Sequence, residues 1–280
     1  MAIGALLFAV ILTICFVTVY MVSVNTEAEP SDGIYVPIIM YHSILKDPNR
    51  AGKFVVSPDT LEKDMVYLKE NGFTTVTVTD LINYVYKDAE LPEKPVIITF
   101  DDGYYNNLTY ALPLMEKYDM CCVISVVGTY ADTFTKSNDL NPNYAYLTWD
   151  NIKELSQSGH VEIQNHTYNM HNNSSRKGIE KKKGESMEVY TKILTDDLIK
   201  MQNTLKSLSN VESNAFTYPF GAISKESLEI VKELGFKASL SCYEKPNYIT
   251  KDTDCLYSLN RYNRPSGIDT ERFMKKILNL

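Results

Sequence analysis

Past its first two dozen residues the chain alternates short apolar runs with longer stretches of mixed polarity. Val36–Met40 is apolar and predicts a strand. Ser57-Pro58 marks a helix start, the serine as cap and the proline at the first helical position, and Asn71-Gly72 marks its end. Thr74–Val78 is rich in β-branched residues and predicts a second strand. Pro95–Phe100 predicts a third, running straight into Asp101-Asp102-Gly103. A helix from about Asn107 to Tyr118 is followed by the strand-like run Cys121–Val127. Further on, helices are expected over Trp149–Ser156, Lys192–Ser207 and Lys225–Leu234, with extended segments at Val161–Gln164, Phe216–Tyr218 and Ala238–Ser241. The stretch Ser174–Glu188, rich in Lys, Glu, Gly and Ser, reads as an exposed loop without chemistry.

Strands that alternate with helices imply an α/β fold, a parallel sheet with helical crossovers. No glycine-rich nucleotide loop is present. Polar residues cluster just after the strand-like runs, at Tyr41-His42, Asp101-Asp102, His166 and Tyr218. In a (β/α) barrel those positions share the carboxyl-terminal face, where active sites form.

Met1–Val24 carries no charged side chain and is long enough to span a bilayer, which takes about 20 residues. No Lys or Arg precedes it, and Thr26-Glu27-Ala28 is a poor cleavage site, so a single transmembrane anchor is favoured over a cleaved signal. Residues 25–34 read as a linker and 35–280 as one domain. Hydrophobic residues make up 44% of the chain and charged residues 22%, as in globular domains. The net charge of -7 argues against nucleic acid or an anionic membrane surface as partner, and leaves a neutral glycan open. Twenty tyrosines fit ordinary packing or platforms for sugar rings, and composition does not choose. Cys15 lies in the apolar segment and Cys121-Cys122 in a strand; Cys242 and Cys255 either pair in an oxidising compartment or stay free.

Chemistry concentrates in two places. His166 and His171 lie five residues apart, not on one helical face, and meet on one ion only if the chain turns between them, which Asn169 allows. Asp101 and Asp102 are adjacent carboxylates at the end of an apolar strand, costly unless a cation stabilises one and leaves the other as a base. Two imidazoles and a carboxylate with open positions make the donor set of hydrolytic zinc sites and of non-haem iron oxygenases. The neighbouring second Asp favours hydrolysis, because activating a water needs a nearby base.

With these residues in place the chain resembles the polysaccharide deacetylases of carbohydrate esterase family 4, the NodB-homology group. Thr99-Phe100-Asp101-Asp102-Gly103 matches its first motif and His166 to His171 its second, Gly159–Thr167 resembles the strand that leads into that second motif, and Phe216-Thr217-Tyr218-Pro219-Phe220-Gly221 resembles its third. The resemblance spans roughly residues 35 to 275 and implies a distorted (β/α) barrel. It implies Asp101 as general base and Asp102, His166 and His171 as ligands of a divalent metal, Zn2+ first, with Mn2+, Co2+ or Ni2+ as alternatives. Tyr218, Pro219, Phe220 and Gly221 would then line the substrate and oxyanion side, a backbone amide near Phe220 acting as donor.

Three departures, namely histidines spaced five apart, no arginine in the third motif and no histidine after His171, resemble the poly-N-acetylglucosamine deacetylase subgroup. There a histidine in a segment similar to Pro37–His42 is the general acid, which points to His42. Arg261 becomes the candidate to orient Asp101, and His160 reads as structural. The function implied is removal of N-acetyl groups from an extracellular N-acetylhexosamine polymer, peptidoglycan or poly-N-acetylglucosamine, by a domain held outside the cell membrane. The alternatives are a non-catalytic cell-surface glycan-binding protein with a decayed site and an iron-dependent oxygenase.

Overall fold

A computed structural model describes residues 33–278. Eight strands form one parallel sheet: β2 (Ile38–Tyr41), β5 (Thr74–Thr75), β6 (Pro95–Phe100), β7 (Cys122–Val126), β8 (Val161–Asn165), β9 (Ala215–Thr217), β10 (Ala238–Leu240) and β12 (Tyr262–Asn263). Their order is β10-β9-β8-β7-β6-β2-β12, with β5 paired to the start of β6. Two small pairings sit beside it: β1 (Ile34–Tyr35) with β11 (Tyr248–Ile249), and β3 (Ser43–Ile44) with β4 (Val55–Val56). The sheet curls, and the segment leading into β12 reaches both of its edges. Leu259 exchanges hydrogen bonds with Ser239 and Ser241 around β10, while Tyr262 and Asn263 pair with β2. This is the α/β barrel architecture expected from the alternation of elements.

The sheet is apolar on both faces, as a parallel sheet covered by crossovers must be. All six residues of β6 are buried. Its alternate residues belong to different cores: Val96, Ile98 and Phe100 pack with α1 (Pro58–Glu70), α5 (Trp149–Gln157) and α8 (Thr270–Ile277), whereas Ile97 joins α2 (Val78–Lys87) and the starts of β9 and β10. The remaining helices are α3 (Leu112–Tyr118), α4 (Gly128–Ser137), α6 (Met187–Thr204) and α7 (Lys225–Glu233).

Several boundaries differ from the sequence expectation, each for a local reason. The strand expected over Thr74–Val78 stops at Thr75, because Thr77 and Asp80 form a reciprocal capping box that starts α2. The helix expected from Asn107 begins as a wide π-turn over Asn107–Ala111, just ahead of Pro113, which has no N–H to donate inside a regular turn. Ser186 caps α6, so that helix starts five residues before Lys192. The stretch Ser174–Glu188 is not simply exposed. Ile179 is buried under Tyr190, and Arg176 donates to Glu185 at 2.9 Å. Cys242 and Cys255 are free thiols. His160 is structural as expected, its Nδ1 lying 2.8 Å from the carbonyl of Met120. No helix among the described residues is long and apolar enough to cross a membrane. The apolar segment 1–24, on which the anchor expectation falls, lies outside them.

One buried ion pair ties the segment after β12 to α1. Arg264 donates to both oxygens of Asp64 on α1, at 2.7 and 3.1 Å, and Tyr41 and Thr270 complete that carboxylate's partners at 2.8 and 2.6 Å. Removing one member leaves the other charged and buried. Arg264→Ala is expected to lower unfolding free energy by about 3–5 kcal/mol. Urea denaturation followed by circular dichroism measures this, and a loss below about 1 kcal/mol, the scale of an exposed pair, would count against the assignment.

Candidate active site

The site begins where β6 ends. The Asp101 amide still donates to Tyr41 in register (3.0 Å), but Asp102 and Gly103 both take left-handed backbone, each at φ 72. That step turns the two carboxylates apart, which a continued strand cannot do within one cleft. Aspartate tolerates this region better than most residues. Gly103 has no substitute there, because a Cβ would lie 2.8 Å from Val126 Cγ1.

Asp101 is buried and gripped by Arg261. Nη1 and Nη2 each donate at 2.7 Å, one to each carboxylate oxygen, and Nη1 also donates to Thr99 Oγ1 at 3.2 Å. Nε donates to the carbonyl of Ser241 at 2.7 Å, so the fork is held at its base. Burial alone would raise the Asp101 pKa, but Arg261 overrides it, with help from His166 and His42, and the net displacement is downward. Asp101 is therefore a carboxylate at neutral pH.

Asp102 faces the two histidines. Its Oδ1 lies 3.1 Å from His171 Nε2 and 3.5 Å from His166 Nε2. The ligand atoms of Asp102, His166 and His171 all fall within 4.8 Å of one another. Burial pushes the Asp102 carboxyl up, and the two histidines outweigh it and hold it well below the usual carboxylate range.

The loop after β8 brings the histidines together. His166 extends β8 by donating its amide to Val126, and Thr167 then turns left-handed at φ 75 with its amide on Asn165 Oδ1 at 2.8 Å. Asp197 on α6 accepts the amides of Tyr168 and Asn169, both at 2.8 Å. The five-residue spacing is thus a pinned turn. His166 Nδ1 lies 2.8 Å from the Thr217 carbonyl, which can only accept, so Nδ1 carries a proton and Nε2 is the nitrogen turned toward Asp102. His171 Nδ1 lies 3.1 Å from the Tyr130 hydroxyl. Tyr130 had no signal in the sequence, because the pattern does not announce α4.

A cleft of about 470 Å³ lies over these groups, lined among others by His42, Phe54, Asp101, Asp102, His171 and Phe220. His42 Nδ1 is buried without a hydrogen-bond partner among the described residues, and its ring packs on Phe54 with centroids 4.6 Å apart. Burial lowers its pKa, and Asp101 and Asp102 oppose this only in part. Asn107 fixes its backbone by donating to the His42 carbonyl at 2.9 Å.

Of Tyr218, Pro219, Phe220 and Gly221 only Phe220 lines the cleft, its ring 4.6 Å from that of His171. Tyr218 does not reach it. Its side chain is fully buried against Phe216 in the core beneath α6 and α7. Pro219 is buried as well. Gly221 permits the turn, since a Cβ there would sit 2.9 Å from Cys242 Cβ.

Fold and donor set define a class: an α/β barrel-type protein with a three-ligand centre suited to a divalent metal at the carboxyl edge of its sheet. The polysaccharide deacetylase family model matches residues 88–239, more than half of the chain, and the chain belongs to that family. It is 24% identical over 217 residues to the poly-β-1,6-N-acetyl-D-glucosamine N-deacetylase of Escherichia coli (strain K12), covering 71% of this chain and 32% of that protein. The enzyme of the same name from Staphylococcus aureus (strain MRSA252) is 24% identical over 192 residues, 69% of this chain and 62% of that one. The chain therefore spans about a third of the first relative's length and less than two thirds of the second's. The Streptococcus pyogenes deacetylase PplD, solved in complex with acetate, has the same fold, with a TM-score of 0.71 at 22% identity over 88% of this chain and 99% of that one.

The Asp101–Arg261 pair gives a pH-dependent prediction. In the wild type the depressed carboxyl makes its stabilisation full above the unfolded-state value, about 4, and lost as pH falls below it. In Arg261→Ala burial is opposed only by the weaker influence of His166 and His42, so the carboxyl is raised and the sign inverts. The variant is expected to be less stable than wild type by about 3–5 kcal/mol at pH 7 and to recover part of the difference by pH 5. Urea melts of both proteins at the two pH values test this; an equal deficit at both would reject it.

Proposed function

We propose that the chain is a metal-dependent polysaccharide N-deacetylase that hydrolyses N-acetyl groups on N-acetylhexosamine residues and releases acetate. The observation that carries this reading is the convergence of Asp102, His166 and His171 beside Asp101 and His42 in one cleft. The donor set suits Zn2+, with Mn2+, Co2+ or Ni2+ as alternatives. A divalent metal held by the three would make a water more acidic and neutralise charge growing on the acetamide carbonyl oxygen.

The chain's own groups divide the remaining chemistry. Asp101 accepts the proton that the attacking water gives up. Arg261 keeps that carboxylate ionised and fixes its plane, so the base is aimed before substrate arrives. The amides of Gly221 and Ala222 are committed to Tyr218 and Pro219 at 3.1 and 3.0 Å, so the donor expected in this turn falls to the amide of Phe220, which meets the carbonyl oxygen as it gains charge. His42, which lines the same cleft as Phe220, gives a proton to the departing amine nitrogen. Its lowered pKa makes the imidazolium a stronger acid toward that amine while reducing the protonated population at neutral pH.

Poly-N-acetylglucosamine is the favoured polymer, in line with the named activity of the relatives, and peptidoglycan is the second. Both lie outside the cell, which supports an extracellular domain held at the membrane by the apolar segment 1–24.

Acetate release from poly-N-acetylglucosamine and from peptidoglycan, measured side by side with Zn2+ present, tests the reading. Asp101→Asn is expected to lower kcat by about 10²–10⁴-fold with Zn2+ content retained, and full activity in that variant would sink the base assignment. His166→Ala is expected to lose the metal, and unchanged content by elemental analysis would refute it as a ligand. Glycan binding without acetate from either polymer would make this a binding protein instead.

A further inference from the structure

A histidine that binds a metal through Nε2 must carry its proton on Nδ1, and that proton needs an acceptor held in the ring plane. For His166 the Thr217 carbonyl supplies it from the strand β9. His171 sits on a loop with no such strand beside it. Its Nδ1 lies 3.1 Å from the Tyr130 hydroxyl, and the same hydroxyl lies 3.2 Å from the carbonyl of His171 itself. A hydroxyl can do both jobs at once, accepting from Nδ1–H and donating to the carbonyl. Tyr130 thereby grips ring and backbone of one residue, which fixes the rotamer as well as the tautomer.

Tyr130 is itself rigidly placed. The first turn of α4 is bonded to the histidine loop, Gly128 donating to Thr167 at 3.1 Å and Thr129 to Tyr168 at 2.8 Å. The approach is so close that a Cβ on Gly128 would lie 2.4 Å from the Tyr168 ring. On its other side the Tyr130 ring packs on Tyr146, centroids 4.4 Å apart, and Tyr146 stacks on Tyr104 of the cleft wall at 4.7 Å.

We propose that Tyr130 is the positioning residue of the metal centre: it holds His171 as the Nδ1–H tautomer with Nε2 turned toward Asp102. This deepens the proposed function and rests on its metal reading. The tyrosine touches neither metal nor substrate, so its effect belongs in metal affinity before it reaches turnover.

The test is Zn2+ binding to the full chain, by competition with a chromophoric chelator, for the wild type, Tyr130→Phe and Tyr146→Phe. Tyr130→Phe keeps the ring and removes the hydroxyl. It is expected to weaken Zn2+ binding about 10- to 100-fold, with Tyr146→Phe, which leaves the His171 contact intact, matching the wild type. In a His171→Ala background Tyr130→Phe should add no further loss. Wild-type affinity in Tyr130→Phe, or an equal loss in Tyr146→Phe, overturns the proposal and leaves the metal reading standing. No Zn2+ binding by the wild type removes both. Histidine labelled with ¹⁵N gives a reading that needs no variant. In the Zn2+-loaded protein Nδ1 of His171 should carry the proton and Nε2 the metal, and the reverse arrangement overturns the proposal.

Discussion

Two carboxylates adjacent in sequence and buried at the mouth of a parallel sheet can both ionise only if each faces its own positive partner. The left-handed step at Asp102 makes that possible. Before the step, Asp101 points to Arg261, which takes both its oxygens. After it, Asp102 points to His166 and His171. Were the strand to continue, alternation would send the second side chain to the opposite face of the sheet, into a different core. The proposed base Asp101 and the proposed ligand Asp102 thus face different partners, and a Cβ on the glycine that follows would run into Val126 of β7.

Part of the backbone strain lies at the same rim. Asp102, Thr167 and Phe220 all hold positive φ without being glycine, and each sits at the end of a different strand of the sheet. Such residues cost of order 1–3 kcal/mol and persist where their surroundings over-determine them. Here the surroundings are hydrogen-bonded frames: Asn165 beneath Thr167, Arg261 opposite the Asp pair, and the turn that commits the amides of Gly221 and Ala222. The sheet below contributes what a rigid scaffold needs, strands buried on both faces. The second buried pair, Asp64 with Arg264, fastens the segment after β12 to α1, and Thr270 at the start of α8 bonds the same carboxylate.

Much of this is legible in the sequence because two signals are local. An apolar run that ends in paired aspartates and glycine announces a strand end with chemistry on it, and His166 to His171 announces a turn. Other features are not local. Tyr218 reads as a site residue by its neighbours in the motif, yet period-two alternation puts it on the same face as Phe216, while Thr217 between them turns inward to meet Ser125 at 2.7 Å. Helix α2 hides behind β-branched residues that suggest one strand, although only Thr74 and Thr75 form it and Thr77 caps the helix. Ser174–Glu188 looks solvated by composition, because its buried apolar side chain, Ile179, stands among charges. Arg264 and Asp64 are 200 residues apart, beyond any pattern read along the chain.

The spacing of the two histidines follows from the same economy of constraints. Loop closure entropy grows slowly with length, so an added residue between them costs little in free energy. What a longer loop loses is precision, and a ligand displaced by an ångström no longer shares a metal with its partners. The chain restores that precision from two sides. Asp197 on α6 takes the loop's amides at Tyr168 and Asn169, and the first turn of α4 supplies amides to the carbonyls of Thr167 and Tyr168. Tyr130 then extends the second frame to the side chain of His171 itself. A five-residue spacing is therefore workable in this fold because two helices, neither of which carries His166, His171 or Asp102, hold the loop between them.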